Sequence, residues 1–283
     1  MSIVKTAANG IDQNPTRRHF LGLTAGTAAA SILLASQHNA FAQTAISPSD
    51  LGLDHNPTLD TSLKFRPDGV ARPFPGNTVI CHLPQQCRFR DGAAALREAL
   101  RTAPFANKLG LLPVESYHMT VFAGANSNDR THSAWPGGIP IDAPIERCNA
   151  IMKERMENVC LEGPFPLRVR IDAESTMRFG RACTLRMTGT DPAAEHVLRN
   201  LRNRLADAYR YRAPDHDTYT FHVTIAYQLT DMSPTEMAAY RAILRKATDN
   251  LLATTPVLEL GLPEYCTFPD MYRFDVEQIL QPV

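Results

Sequence analysis

Two short stretches of the chain place an imidazole and a hydroxyl two residues apart. "ESYHMTVFAG" holds His118 and Thr120, and "YTFHVTIAYQ" holds His222 and Thr224. Histidine titrates near pH 6.5, so of two converging imidazoles one can take a proton while the other gives one at neutral pH. A hydroxyl beside each can donate to an oxygen on which negative charge develops.

Both stretches read as β-strands, and a strand turns successive side chains to opposite faces. In the first, Tyr117, Met119 and Val121 point one way, and His118, Thr120 and then Phe122 the other. In the second, Phe221, Val223, Ile225 and Tyr227 share the apolar face, and His222 and Thr224 oppose them. Imidazole and hydroxyl then lie roughly 7 Å apart along each strand. A third His-x-Thr, His216-Asp217-Thr218, sits in the polar turn "APDHDTYTF" and reads as loop surface. A single strand histidine is ordinarily a satisfied core or surface residue. Two copies, each in an alternating strand, each after an aromatic residue and one per half of the chain, point to one shared site.

Strands of this kind need a core behind them. A buried strand begins at "GNTVICHL". Four amphipathic helices follow, on Ala93, Leu96, Ala99 and Leu100; on Ile145, Cys148, Met152, Met156 and Val159 after Pro144; on Val197, Leu198, Leu201, Leu205 and Ala208 behind an Asp191-Pro192 start; and behind "SPTE", where Ser233 and Glu236 form a capping box. Further strands are expected at 165–172, 182–188, 219–229, 257–261 and 272–279. Their mixture with helices lacks strict βαβ alternation, which predicts an α+β fold with antiparallel sheets flanked by helices. Each half runs strand, helix, His-x-Thr strand, so two related lobes around a central cleft are expected.

The chain has 283 residues and no net charge, so no basic field marks a nucleic-acid binder. Gly-rich phosphate loops are absent. Six cysteines show no zinc-finger spacing and read mostly as small buried residues, and neither a structural metal nor a cofactor is expected. Residues 1–42 contain Arg17-Arg18-His19-Phe20-Leu21, an Ala-rich apolar run and Ala40-Phe41-Ala42. That is the pattern of an export signal of the twin-arginine type, with an N-terminal membrane anchor as the alternative. Cleavage would leave a periplasmic protein that is free of the membrane. Residues 43–75, rich in Pro, Ser, Asp and Asn, read as an extended arm or linker, and 76–283 as the folded domain.

With two such motifs in a bilobal α+β chain, the sequence resembles the two-histidine (2H) phosphoesterases, a superfamily that includes 2′-5′ RNA ligase-like and cyclic phosphodiesterase proteins. "PFPGNTVICHL", "ESYHMTVF", "FHVTIAY" and the tail "FPDMYRF" are most similar to an uncharacterised branch, and the resemblance covers roughly residues 65–280. It implies a catalytic pair His118 and His222, with Thr120 and Thr224 as phosphate-binding hydroxyls. The substrate would be small and phosphorylated, a nucleotide, RNA end or related metabolite with a cyclic phosphate or 2′-5′ linkage, and the protein a monomer. No nucleotide-activating lysine motif argues for ligation. Tyr117, Tyr227, Tyr272 and Arg181 are candidates for substrate contact. Arg168, Arg170, Arg178 and Arg186 read mainly as a solvated strand face. A binding protein without turnover and a metal-dependent hydrolase are the rival readings.

Overall fold

The two His-x-Thr strands become neighbours at the centre of one sheet. In chain order the computed structural model has α1 (Leu59–Lys64), β1 (Gly76–His82), α2 (Arg88–Arg101), β2 (Leu109–Leu111), β3 (His118–Asn126), α3 (Ile145–Met156), β4 (Leu167–Ile171), α4 (Ala173–Arg178), β5 (Ala182–Gly189), α5 (Pro192–Tyr209), β6 (Phe221–Gln228), α6 (Pro234–Thr254), β7 (Leu258–Leu260), β8 (Glu264–Phe268) and β9 (Asp275–Ile279). The structure describes residues 59–132, 134–178 and 182–282, all within the unit Ala45–Val283. The signal-type segment and residues 43–58 of the arm lie outside the described residues.

The strands form one sheet in the order β7-β4-β5-β6-β3-β1-β8-β9, with β2 also paired to β6. Every ladder is antiparallel, as the α+β reading requires. Two half-sheets meet at the β3–β6 seam, where a single register pair, Met119↔Val223, joins them. On either side stands the same unit, β1-α2-β3 and β5-α5-β6, in which a helix returns the chain to an adjacent antiparallel strand.

The helices form where the sequence signals them. Asp191 caps α5, accepting from Ala194 N at 2.9 Å, and Ser233 and Glu236 close the capping box of α6 with two reciprocal hydrogen bonds. On α5, Leu198, Leu201 and Leu205 are buried against β3 and β5, each contributing about 1.5–3 kcal/mol. α2 and α6 pack on one another. β2, β8, α1 and α4 have no counterpart among the elements expected from the sequence.

Part of the arm is structured as well. Phe65, directly after α1, is fully buried, bridges to Ala71 and packs its ring 5.1 Å from Tyr227 and 6.0 Å from Tyr272. One large apolar side chain anchors this stretch to the core.

Candidate active site

Extending the Met119↔Val223 register by one residue each way sets His118 across from Thr224 and Thr120 across from His222. The two motifs form a diagonal square on one face of the sheet. All four residues line a single cleft of about 520 Å³ and are half-buried, while their odd-numbered neighbours Met119, Phe221 and Val223 are fully buried on the other face.

Each motif strand carries a bulge directly after its threonine. The β1–β3 ladder pairs Ile80 with Thr120 and Val79 with Phe122, skipping Val121. The β5–β6 ladder pairs Thr184 with Thr224 and Cys183 with Ala226, skipping Ile225. A bulge shifts the alternation by one residue and re-aims the side chains beyond it. Hence Phe122, expected on the motif face, is buried and stacks on Tyr209 at 4.9 Å. Tyr227, expected on the apolar face, lines the cleft together with Ala123.

Each ring meets the carbonyl two residues before it, and His222 Nδ1 also lies 3.3 Å from Arg186 Nη1. Nδ1 of His118 donates to the Ser116 carbonyl at 2.7 Å, and Nδ1 of His222 to the Thr220 carbonyl at 2.9 Å. In the neutral tautomer so fixed, Nε2 carries the lone pair available to a ligand. Among the described residues neither Thr120 nor Thr224 spends its hydroxyl on an intramolecular hydrogen bond. Burial pushes the His118 imidazole down to about 3; the Ser116 carbonyl opposes the shift, and His82 and His222 add to it. His222 is pushed down to about 4 by burial, with the Thr220 carbonyl opposing and Arg186 and Lys64 adding. Both rings are therefore neutral in the ligand-free protein at pH 7. An anion between them would favour their protonated forms.

Aromatic and apolar side chains wall the cleft. Phe274 lies edge-on to His118, 4.2 Å between centroids, Tyr219 lies 6.0 Å from His222, and Phe74, Phe268 and Met271 complete one side. Lys64 leans in from α1 with its Nζ 2.8 Å from Asp60, 5.3 Å from the Tyr227 ring centre and 5.5 Å from that of Phe74. Burial alone would lower its pKa, but Tyr227, Asp60 and Tyr219 more than offset that, so it is a full cation. Arg186, its Nη1 3.5 Å from the Thr220 carbonyl, stands behind His222.

Of the other residues expected to touch substrate, Tyr227 lines the cleft. Tyr117 does not. It is an odd-face residue, fully buried on the core side of the sheet. Tyr272 is absent from the lining and donates its phenol to the Gly69 carbonyl at 2.9 Å, bracing the arm. Arg181 lies outside the described residues. Arg168 and Arg178 pair on the surface with Glu259 and Glu174, whereas Arg186 is buried. His216 is no surface residue; it is buried, with Nε2 3.0 Å from Asn203 Oδ1. Sequence reading misses Lys64, Asp60 and Phe74 in the arm, and Asp215 and Tyr219 before β6. The tail "FPDMYRF" is visible in the sequence, and it supplies Phe268, Met271 and Phe274.

A metal would need converging donors. Among the described residues, the group of three whose donor atoms lie within 4.8 Å of one another is His82, Glu264 and Cys266, and it includes neither His118 nor His222. His82 already pairs through Nδ1 with the Glu264 carboxylate, and burial holds the Cys266 thiol protonated.

The single antiparallel sheet, with its two His-x-Thr strands adjacent at the centre, agrees with the resemblance to the two-histidine phosphoesterases. Residues 64–179 match the family model 2H-phosphodiest, a domain of unknown function (DUF1868), which bears out that resemblance; β6 and its motif lie beyond the matched span. The fold is similar to the crystal structure of a conserved protein of unknown function from Agrobacterium tumefaciens, at TM-score 0.72 and 28% identity over 83% of this chain and 97% of that one. A Thermus thermophilus crystal structure matches at TM-score 0.35 and 15% identity, over 72% of this chain and 96% of that chain. No curated protein matches. The family supports a phosphodiesterase-type function.

Proposed function

We propose that the protein is a metal-independent phosphodiesterase that opens a cyclic phosphate of the 2′,3′ type, or cleaves a 2′-5′ linkage, in a nucleotide, RNA end or related metabolite. One observation carries the reading. Two imidazoles and two uncommitted hydroxyls face one cleft, and each imidazole is fixed by a backbone carbonyl so that Nε2 is its free nitrogen. One Nε2 takes a proton from water as the water oxygen bonds to phosphorus. The phosphorus bond to the departing oxygen breaks, and the second ring, protonated when the anion binds, passes its proton to that oxygen. The Thr120 and Thr224 hydroxyls donate to the non-bridging oxygens, where charge accumulates. The product is a phosphomonoester beside a free hydroxyl, and the two rings have exchanged protonation states.

The test is turnover of 2′,3′-cyclic nucleotides and 2′-5′ dinucleotides by the purified protein with chelator present. His118→Ala and His222→Ala should each lose at least about a hundredfold, the contribution of a positioned acid or base. Unchanged rates in both variants would refute the assignment. Binding of the nucleotides without turnover would favour a ligand-binding role, and loss of activity to the chelator a metal-dependent one.

From the paired arginines and Ala-x-Ala site, the reading extends to a periplasmic monomer acting on small phosphorylated compounds. Fractionation and native mass measurement check it. No helix among the described residues is long and apolar enough to cross a membrane.

A further inference from the structure

We propose that Lys64 is an anion-binding residue of the cleft, whose ammonium grips the phosphate held between His118 and His222, and that Asp60 is the carboxylate it leaves to do so. The inference rests on the reading of the cleft as a phosphodiester site and adds a residue that neither His-x-Thr motif contains.

Charge makes the first part of the case. The floor is neutral, two uncharged imidazoles and two hydroxyls, yet a phosphodiester carries one negative charge and approaches two as water adds to phosphorus. Of the residues lining the cleft, Lys64 alone carries a permanent positive charge; Asp60 and Asp215 are acids. Without a cation an anion would enter a site whose fixed charges repel it.

Position makes the second part. An ordinary i,i+4 pair on a short helix points to water. Here the Lys64 side chain keeps only 16% of its exposure while Asp60 keeps 62%, so the carboxylate sits on the solvent side and the ammonium on the cleft side. The Nζ lies over the faces of Phe74 and Tyr227, and its charge is felt at His222. Its backbone is fixed, because the next residue, Phe65, is buried in the core and its carbonyl accepts from Arg72 Nε at 3.1 Å. A flexible side chain on an anchored stem can exchange Asp60 for a phosphate oxygen without moving the arm.

The probe is inorganic phosphate, titrated calorimetrically into the full-length protein at pH 7. Lys64→Met should weaken phosphate binding by about ten- to a hundredfold, as expected for one lost charge-assisted hydrogen bond. Lys64→Arg should restore most of it. Asp60→Asn should tighten binding, since the competing carboxylate is gone. Circular dichroism and melting temperature identify a variant that fails to fold, and Asp60→Asn then decides alone. Unchanged phosphate affinity in folded Lys64→Met, or weaker binding in Asp60→Asn, would overturn the inference and reduce the pair to a helix brace. If His118→Ala and His222→Ala abolish turnover while Lys64→Met changes nothing, the catalytic reading stands and this one falls. If no cyclic phosphate is turned over but phosphate affinity follows Lys64, the anion site stands and the catalytic reading falls.

Discussion

If His118 and His222 share the proton transfers, kcat/KM should be highest in acid and fall toward neutrality, unlike the behaviour of two ordinary histidines. Burial pulls the rings down to about 3 and about 4, and the productive form of the free pair carries one proton. With apparent values of that size, which belong to the pair and not to either ring, about a tenth of the molecules hold the proton at pH 5 and about a thousandth at pH 7. The expected fall in kcat/KM is therefore roughly a hundredfold over those two units. The charged groups facing the rings are His82 with Glu264 beside His118, Arg186 and Lys64 with Asp60 beside His222, and Asp215 on the cleft wall. Bound substrate puts a negative charge between the rings and raises both, so kcat, which reports the complex, should hold up to higher pH than kcat/KM. The assay is initial-rate hydrolysis of a 2′,3′-cyclic nucleotide far below KM, from pH 4.5 to 8 at constant ionic strength. A kcat/KM that stays level or rises from pH 5 to 7 would refute the reasoning.

Thr120→Val and Thr224→Val should each lower kcat by about a hundredfold with a small change in KM, because the hydroxyls are needed most as charge builds on the phosphorus oxygens; steady-state kinetics decides. Gly124→Ala should destabilise by about 1–3 kcal/mol, seen as a drop in Tm, since a Cβ there would run into the Asn77 side chain and carbonyl and the Tyr209 hydroxyl, which are tied together by a 2.8 Å hydrogen bond. Acid should weaken the fold through the same two imidazoles: below pH 6.5 the unfolded chain takes up protons that the native rings refuse, so stability present at pH 7 is lost on the way down to about pH 3–4. Between pH 7 and 5 this amounts to about 2 kcal/mol per ring, and a His118→Gln, His222→Gln double variant should lack it in urea titrations at the two pH values.

The four longer helices are legible in the sequence because α2, α3 and α5 have a stripe at helical spacing and three have a start signal: Asp191-Pro192 for α5, Ser233-Pro234 for α6 and Pro144 for α3. The motif strands are legible because alternation is strict through the threonine. Beyond it the two bulges reverse the parity, so simple alternation puts Tyr227 on the wrong face and Phe122 beside the histidines. Nothing in a strand's composition announces an unpaired residue when the partner strand is unknown. Lys64 and Asp60 are invisible for another reason. A six-residue helix has no period to detect, and its place is set by Phe65 docking between Tyr227 and Tyr272, contacts that span more than 150 residues of sequence. The pairing of His82 with Glu264 depends on β8, a strand the pattern does not reveal.

The symmetry that makes the motifs recognisable also limits what they can decide. The floor of the cleft is nearly its own image across the β3–β6 seam: each ring bonds the carbonyl two residues before it, each faces the other motif's threonine, and each strand bulges one residue later. A floor so balanced gives neither imidazole a fixed duty, because a phosphodiester turned end for end meets the same groups. The walls are not balanced. Counting five residues on from each histidine gives Ala123 on one strand and Tyr227 on the other, so after equal bulges one side is open and the other is aromatic. Lys64, Tyr219 and Arg186 gather near His222, while Phe274 and His82 stand near His118. Under the proposed function the choice of acid and base therefore belongs to these walls. They fix which way round the substrate lies, and the imidazole beside the departing oxygen becomes the acid.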